Sequence, residues 1–331
     1  MGELGDYMSK SYFIGSIIGH AVGDAMGVPV EFTMREKLLE HPVTDMRGYG
    51  SHPVPAGYWS DDTSMEIATI DSFIEKNGWD YDDILNKYAE WVQNGKYTPG
   101  GEVFDIGRTC LRAIRKYQQS KVEKTGIKPI DAGQKDLMGN GNGALMRILP
   151  VALYCVDSNM SDNEIIELVS NVSSLTHGHE IGILACYIYV KYILFLINGC
   201  TKEEAYQKIK ELDYSYFNND SLSVYDRLLK DDIRTLKLSD IKSTAYVVDT
   251  LEASFYVLLN CDNYRQSIIG AINLGNDTDT IAAIVGSMAG IIYGYNDIPE
   301  KWIDGLAKKD YLLDLASKFE LAVKRSHIYE D

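Results

Sequence analysis

Two short acidic segments contain the residues of this chain that are best suited to chemistry. Residues 60–63 read SDDT and residues 277–280 read DTDT. Carboxylate and hydroxyl oxygens are the ligands that Mg²⁺ and Mn²⁺ prefer. Brought together by folding, the two segments offer six ligand side chains: Ser60, Asp61, Asp62, Asp277, Asp279 and Thr280. A single octahedral ion rarely takes that many ligands from protein, so the sequence predicts two ions that share a carboxylate.

Helix capping is the simpler explanation of each acidic segment when it is taken alone. Ser60 is a good N-cap residue, and acids in the first turn interact favourably with the helix dipole. Asp277 could likewise cap a helix that starts after it. The two segments together favour a metal site, because each leads into an apolar stretch that must be buried. Carboxylates that are buried together repel one another and need a cation or a shared proton.

The elements that must position these acids are helices. Apolar residues repeat at i, i+3 and i+4 over most of the chain, and no series of short alternating strands is visible. The predicted helices cover residues 14–25, 65–73, 84–92, 103–117, 144–155, 165–173, 181–197, 202–211, 244–259, 264–271, 280–293 and 312–326. Ser161 and Thr201 are each followed three residues later by glutamate, which is the capping-box pattern of a helix start. The sequence therefore predicts an all-α fold.

Two of the predicted helices are rich in small residues. Gly15, Gly19 and Gly23 lie in the first, and Gly286 and Gly290 lie in the second. Glycine inside a helix costs about 1 kcal/mol relative to alanine. Its repeated use predicts that these two helices cross closely at the centre of a single domain, residues 1–331. The more polar segment 213–243 is expected to form a peripheral lobe of that domain.

Composition and charge limit the class of protein. The chain has 331 residues, of which 45% are hydrophobic, and a formal charge of −16, which repels phosphate backbones and argues against non-specific nucleic-acid binding. Its five cysteines form no C-x-x-C pair, which suits a reducing compartment. The most lipid-like run, residues 181–197, contains Lys191 and is shorter than the ~20 residues of a membrane span. With no recognisable signal peptide, we expect a cytoplasmic protein without membrane attachment.

Several short motifs follow one another in the order found in one enzyme family. They are GHAVGDAMG at residues 19–27, EF at 31–32, WSDDT at 59–63, FDIG at 104–107, GNGALMR at 141–147 with Pro150, THGH at 176–179 and GNDTDT at 275–280. With these motifs the chain resembles the ADP-ribosylglycohydrolase family over nearly its whole length. The resemblance implies a compact orthogonal helical bundle. It also implies a hydrolase that uses two Mg²⁺ or Mn²⁺ ions to cleave the glycosidic bond at C1″ of ADP-ribose.

The resemblance also implies roles for individual residues. The six oxygen ligands would hold the two ions, and Asp105 would face the modified side chain of an arginine-linked substrate. The predicted catalytic residues are Glu31, Asp62 and Asp105, and the predicted substrate-binding residues are Gly139, Gly141, Asn142, Gly143 and His179. His177 is the alternative to His179 beside the nucleotide. A glycine-rich loop that feeds the predicted helix 144–155 would suit phosphate groups, and Arg147 in that helix is expected to form a structural salt bridge.

The identity of the substrate stays open at this stage. We expect an ADP-ribosylated protein or small molecule, with an arginine linkage favoured over serine, a nucleic-acid base or an acetyl ester, and we expect a monomer. A metal-dependent nucleotide phosphohydrolase and a non-catalytic ADP-ribose-binding protein are the alternatives. The second is disfavoured, because buried charges cost several kcal/mol each without a metal and a simple binder has little reason to keep them.

Overall fold

The predicted all-α fold is confirmed. The computed structural model describes residues 7, 8 and 10–328, and within them it contains sixteen α-helices and no β-strand. The helices are α1 (Tyr12–Gly27), α2 (Arg35–Glu40), α3 (Asp61–Lys76), α4 (Tyr81–Asn94), α5 (Arg108–Glu123), α6 (Leu149–Cys155), α7 (Asp162–Ser174), α8 (Glu180–Ile197), α9 (Lys202–Lys210), α10 (Asn219–Ser223), α11 (Asp226–Leu229), α12 (Val247–Leu259), α13 (Tyr264–Ile272), α14 (Thr278–Ile292), α15 (Glu300–Gly305) and α16 (Lys309–Ile328). Both predicted capping boxes are present, at the starts of α7 and α9.

Helices α1 and α14 cross at the centre of the molecule as closely as their glycines predict. A Cβ atom added to Gly19 would lie 2.3 Å from the carbonyl oxygen of Gly286, and one added to Gly15 would lie 2.4 Å from that of Gly290. The two helices run antiparallel, so the end of α1 meets the start of α14. There a Cβ on Gly27 would lie 2.4 Å from the Cα atom of Asp279. The crossing therefore brings the second acidic segment to the end of α1.

Helix α3, which begins with the first acidic segment, is held beside α1 by α16. The ring of Phe319 in α16 lies edge-on to Phe13 of α1, at a centroid distance of 5.6 Å, and to Phe73 of α3, at 5.5 Å. All three side chains are fully buried. Such edge-to-face aromatic pairs add roughly 0.5–1.5 kcal/mol to the energy of burial. They fix the direction in which α3 leaves the site.

The bounds of two predicted helices differ from the structure in ways that affect the site. The helix expected over residues 103–117 begins only at Arg108, so Asp105 lies in a loop and not in a helix. The helix expected over residues 144–155 is a 3₁₀ turn, Leu145–Arg147, followed by the short helix α6. Pro150 explains the interruption, because proline has no N–H to donate to the carbonyl group four residues earlier, as a continuous helix requires.

Among the described residues, two apolar helical segments are long enough to cross a membrane by length and composition alone. Tyr12–Val30 is 100% buried inside the protein, and Glu180–Ile197 is 72% buried. The expectation of a buried core helix at residues 181–197 agrees with this packing. The segment 213–243 contains α10, α11 and two 3₁₀ turns, and the Tyr225 hydroxyl group attaches it to α8 by donating to the Ile181 carbonyl oxygen at 2.7 Å. Its description as a peripheral lobe stays a prediction.

Candidate active site

The two acidic segments meet in one cavity of about 460 Å³. The predicted site residues that line it are Glu31, Asp61, Asp62, Asp105, Gly141, Asn142, Gly143, Asp277, Asp279 and Thr280. Carboxylate oxygens lie within 4.8 Å of one another in three sets that share Asp279: with Asp24 and Asp62, with Glu31 and Asp277, and with Asp61 and Asp105. The structure thus brings together residues that are far apart in the chain. Their individual roles stay predictions.

The start of α3 is fixed by a carboxylate from the last turn of α1. Asp24 is fully buried and accepts hydrogen bonds from the backbone N–H of Ser60 at 2.9 Å and of Thr63 at 3.0 Å. The Thr63 hydroxyl group donates to the same carboxylate at 2.7 Å. Ser60 is the N-cap of α3, and its hydroxyl group also donates to Asp62 Oδ2 at 3.0 Å. Asp24 therefore orients the first acidic segment.

The start of α14 is not explained by capping. Asp277 occupies the N-cap position, but its side chain makes no capping hydrogen bond. Its Oδ2 atom accepts instead from the amide group of Asn142 at 2.6 Å, and that amide also donates to Thr250 Oγ1 at 2.9 Å. The Thr278 hydroxyl group donates to the carbonyl oxygen of Gly27 at 2.8 Å and ties α14 to the end of α1. The carboxylate of Asp277 is thereby held toward the cavity.

The carboxyl groups of the cavity are crowded and cut off from water. Desolvation, together with the neighbouring carboxylates, raises the pKa of Asp61, Asp62 and Asp279 well above the usual value. The Oδ1 atoms of Asp62 and Asp279 have no hydrogen-bond partner among the described residues. Buried oxygens of native proteins are normally paired, so the unpaired ones in this all-oxygen cluster could hold a metal ion. The donor set fits hard divalent ions.

Glu31 is a buried residue of the cavity wall, in contact with an imidazole ring. It is 6% exposed, and its Oε2 atom is 2.6 Å from His52 Nε2. Desolvation, with the nearby Asp105 carboxylate, raises the pKa of Glu31 to about 9. The ring of His52 lies between those of Phe104 and Phe32, with centroid distances of 5.2 and 6.0 Å. Glu31 is therefore a positioned cavity acid and not a surface or capping acid.

A pair of backbone hydrogen bonds joins the turn that follows Glu31 to the second acidic segment. Phe32 and Asn276 both have left-handed backbone conformations, with φ angles of 64° and 60°. The N–H of Phe32 donates to the carbonyl oxygen of Asn276 at 2.7 Å, and the N–H of Asn276 donates to that of Thr33 at 2.8 Å. A bulky residue with positive φ is uncommon and costs free energy, so surrounding structure must impose it. The pair holds Glu31 and Asp277 at a fixed separation.

Only part of the glycine-rich loop, residues 139–143, lines the cavity as the sequence predicted. Gly141, Asn142 and Gly143 line the cavity, whereas Gly139 is buried in the 3₁₀ turn Leu137–Gly139. The loop leads into a second 3₁₀ turn and not into an α-helix, so the expected α-helical N-terminus for phosphate groups is absent at this place. The interruption at Pro150 is the reason. Any binding of phosphate here depends on the loop itself.

The histidines and Arg147 differ from expectation in their surroundings. His177 lines the cavity, whereas His179 is the N-cap of α8, with its Nδ1 atom accepting from the N–H of Ile181 at 3.2 Å. The salt bridge expected for Arg147 is wrong. Its buried guanidinium group donates to the carbonyl oxygen of Val172 and to Thr176 Oγ1, at 3.2 and 2.7 Å, and lies over the Tyr88 ring. Carbonyl, hydroxyl and aromatic groups surround the guanidinium group of Arg147, and no carboxylate of the described residues pairs with it.

Comparison with known proteins agrees with this geometry. The family model described as ADP-ribosylglycohydrolase matches residues 6–328. The chain belongs to the ADP-ribosylglycohydrolase family. This confirms the resemblance carried by the motifs, and with it the expectation of a glycohydrolase enzyme.

Relatives of this ADP-ribosylglycohydrolase match it over most of its length. An ADP-ribosylarginine hydrolase Tri1 of Serratia proteamaculans (strain 568) is 30% identical over 311 residues, covering 92% of this chain and 77% of the relative. The ADP-ribosyl-[dinitrogen reductase] glycohydrolase of Rhodospirillum rubrum is 29% identical over 300 residues, covering 89% and 90%. A solved structure titled ADP-ribosylglycohydrolase-related protein complex superposes with a TM-score of 0.79 at 25% identity, over 96% of this chain and 99% of that one. The fold is thus that of the family.

Removal of divalent cations is expected to make the protein less stable as the pH rises. The carboxyl groups of Glu31, Asp61, Asp62 and Asp279 keep their protons to a higher pH in the folded chain than in the unfolded chain; the pKa of Glu31, for example, is about 9. Between about pH 6.5 and pH 8 the unfolded chain has lost these protons while the folded chain retains them. The free energy of unfolding therefore falls by about 1.4 kcal/mol per pH unit for each retained proton. Thermal unfolding in EDTA measures this slope.

Saturating Mg²⁺ is expected to remove most of the slope, because a bound cation stabilises the ionised carboxylates. Below about pH 6.5 the buried histidines oppose this effect. Burial lowers the pKa of His20 to about 4 and of His177 to about 3. These buried neutral rings make stability rise with pH up to the histidine value of about 6.5 in the unfolded chain, which opposes the carboxyl effect. A melting temperature in EDTA that does not change between about pH 6.5 and pH 8 would contradict this electrostatic account.

Proposed function

We propose that this ADP-ribosylglycohydrolase hydrolyses the bond between C1″ of ADP-ribose and an arginine side chain, using two divalent cations. The observation that carries the proposal is the meeting of Asp61, Asp62, Asp277 and Asp279 in one cavity with unpaired buried oxygens. The cavity, at about 460 Å³, is within the range of sites that hold a small molecule. Free ADP-ribose is the expected product.

The ligands proposed for the cations come from the starts of two helices. They are Ser60, Asp61, Asp62, Asp277, Asp279 and Thr280. When bound, two divalent ions supply positive charge that orients the ribose hydroxyl groups and lowers the pKa of a water molecule. Oxygen donors favour Mg²⁺ or Mn²⁺ over zinc. Asp24 holds the first ligand segment through its three hydrogen bonds and is proposed to position it rather than to touch the substrate.

The carboxylates of the chain itself have two tasks in the proposed reaction. Cleavage at C1″ passes through an oxocarbenium-like transition state, in which positive charge develops on the ribose. Asp62 and Glu31 present carboxyl oxygens to the cavity, where they can accept the proton of the attacking water and offset that charge. The contact with His52 at 2.6 Å orients the Glu31 carboxyl group.

The negative charge of the carboxylates that line the cavity favours an arginine linkage. Asp105 lies in the loop before α5, and its carboxylate is grouped with those of Glu31 and Asp61. A guanidinium leaving group is cationic, always protonated and suited to carboxylate oxygens. Two relatives named ADP-ribosylarginine hydrolase, at 30% and 31% identity, support the same substrate class.

Product analysis with a panel of substrates tests the proposal. The enzyme is incubated with arginine-linked and serine-linked ADP-ribosyl peptides and with O-acetyl-ADP-ribose, with Mg²⁺, with Mn²⁺, or with EDTA. We expect free ADP-ribose, faster from the arginine linkage, and a loss of at least about 10²-fold in rate in EDTA, because the cations contribute several kcal/mol. Full activity in EDTA would refute the metal proposal. Release of inorganic phosphate or AMP from these nucleotides, without ADP-ribose, would favour the alternative phosphohydrolase.

A further inference from the structure

One exposed helix face beside the cavity is basic, although the chain as a whole has a formal charge of −16. Helix α5 contains five basic residues and one acid: Arg108, Arg112, Arg115, Lys116, Lys121 and Glu123. At 3.6 residues per turn, the three arginines lie within a sector of roughly 60°, and Lys116 lies about 40° beyond it. We name Arg108, Arg112, Arg115 and Lys116 the basic face. The opposite side of α5 is buried and holds the helix on the body of the protein.

The arginines of the basic face are not used within the protein. Arg108, Arg112 and Arg115 are exposed, and none of them has a hydrogen bond or ion pair with a residue that the structure describes. Acidic side chains are in excess in this chain, at 48 against 32 basic ones, so unpaired arginines are not explained by a shortage of partners. Their positive potential is therefore available to a ligand in solution.

Arg112 and Lys116 of the basic face line a groove of about 520 Å³ that adjoins the active-site cavity, and Arg115 lies outside it. Thr109 lines both, and Arg108 lies in the cavity wall. On the opposite wall Asp131 pairs with Lys135 at 2.7 Å, and Asp136 accepts from the side-chain amide of Gln134 at 3.0 Å. The basic side chains that line the groove (Arg112, Lys116 and Lys135) outnumber its acids (Asp131 and Asp136), so an acidic segment lying in it meets a net positive charge.

We propose that the basic face and its groove bind an acidic segment of the polypeptide that carries the ADP-ribosyl group. The inference rests on the proposed function and specifies its substrate: a protein in which Asp or Glu residues neighbour the modified arginine. A polypeptide fits better than a polynucleotide. A short acidic segment meets only this face, whereas an extended phosphate backbone is repelled by the remaining acidic surface. The adjoining cavity receives the modified side chain itself.

Peptides of equal length test the proposal. Each carries one ADP-ribosyl-arginine, flanked by Asp and Glu residues in one peptide and by Ser and Gln residues in the other. We expect the wild-type enzyme to have a kcat/KM about tenfold higher for the acidic peptide at ~20 mM salt. The ratio should approach one at ~0.5 M salt, where the Debye length is a few Å. In the double variant Arg112→Glu/Arg115→Glu the preference should vanish, while free ADP-ribosyl-arginine is hydrolysed at the wild-type rate.

The matched control is Arg325→Glu, which reverses an exposed arginine on α16, away from the cavity lining. It should keep the preference for the acidic peptide. Equal kcat/KM values of the wild type for both peptides would overturn the proposal. So would an equal loss on free ADP-ribosyl-arginine in the double variant, which would place the face in the nucleotide pocket. Stronger competition by a single-stranded oligonucleotide than by an unmodified acidic peptide would assign the face to nucleic acid instead.

Failure of the proposed function would be a different result. In that case no substrate of the set is hydrolysed, by the wild type or by the variants. Binding of the two peptides, measured by fluorescence anisotropy, then still tests the docking surface. Tighter binding of the acidic peptide, lost in the double variant and kept in Arg325→Glu, supports it; equal binding contradicts it.

Discussion

Replacing Asp279 by asparagine is expected to reduce kcat/KM by about 10³-fold or more while leaving the helix content unchanged. Asp279 belongs to all three sets of carboxylates whose oxygen atoms lie within 4.8 Å of one another. Its carboxylate is therefore the most central one of the proposed metal site. Loss of several kcal/mol of cation binding corresponds to a rate loss of this size. Asparagine has the shape of aspartate, so packing against α1 is kept. Steady-state kinetics with an ADP-ribosyl-arginine substrate measures the loss.

The same variant is expected to be more stable than the wild type in EDTA. Without a cation the buried carboxylates raise the free energy of the folded state, and removal of one of them relieves its neighbours. The matched control is Asp310→Asn, an exposed acid in the first turn of α16, whose loss should change activity little and stability by at most about 1 kcal/mol. Wild-type activity in Asp279→Asn, or a lower melting temperature than wild type in EDTA, would contradict the proposed site.

Replacing Gly23 by alanine is expected to destabilise the protein by at least about 2 kcal/mol and to weaken metal binding. A Cβ at this position would lie 2.0 Å from the carbonyl oxygen of Ala282. That oxygen is backbone and cannot rotate away, so α1 and α14 must separate. Overpacking of this kind costs typically 1–3 kcal/mol, sometimes more. Urea denaturation measures the stability, and isothermal titration with Mn²⁺ measures the affinity.

Gly182→Ala is the matched control for this effect. Gly182 also lies in a helix, α8, but a Cβ there would meet only Asn140 Oδ1, at an ordinary distance of 3.8 Å. Alanine should therefore stabilise this helix by up to about 1 kcal/mol. Gly15→Ala, at the far end of the crossing, should lower stability with less effect on metal affinity, because it lies farther from Asp279. Equal stability of Gly23→Ala and Gly182→Ala would show that the close crossing does not matter.

Much of the helical framework could be predicted because its signals are local. The apolar repeats of α3, α4, α7 and α8 have the helical period, and both capping boxes involve residues three apart. The two glycine-rich helices predicted a close crossing because repeated glycine has no other advantage inside a helix. The short helices α2 and α15, of six residues each, were not predicted, since so few residues show no clear period.

The residues that sequence reasoning missed depend on contacts between distant segments. Asp24 is bonded to Ser60 and Thr63, which are 36 and 39 residues away. The only local signal was a carboxylate inside an apolar helix of small residues. A buried carboxylate at such a place requires hydrogen-bond donors from elsewhere in the chain. Arg147 shows the same difficulty: its type suggested a salt bridge, but carbonyl, hydroxyl and ring partners were supplied by other helices. The acids of the two segments were found because each segment combined acids with a buried helix start, whereas Glu31 and Asp105 were predicted only from the family resemblance.

The hydrogen bond from Thr278 to the carbonyl oxygen of Gly27 spans 251 positions of the chain. Each acidic segment holds only half of the proposed ligands, and they adjoin only after α14 has docked on α1. Long-range contacts of this kind form late, after the entropy of closing a long loop has been spent. During synthesis on the ribosome, a chain that still lacks α14 has no complete cation site. Loading of the proposed metal site must therefore follow translation of α14, and it depends on the docking of α14 on α1.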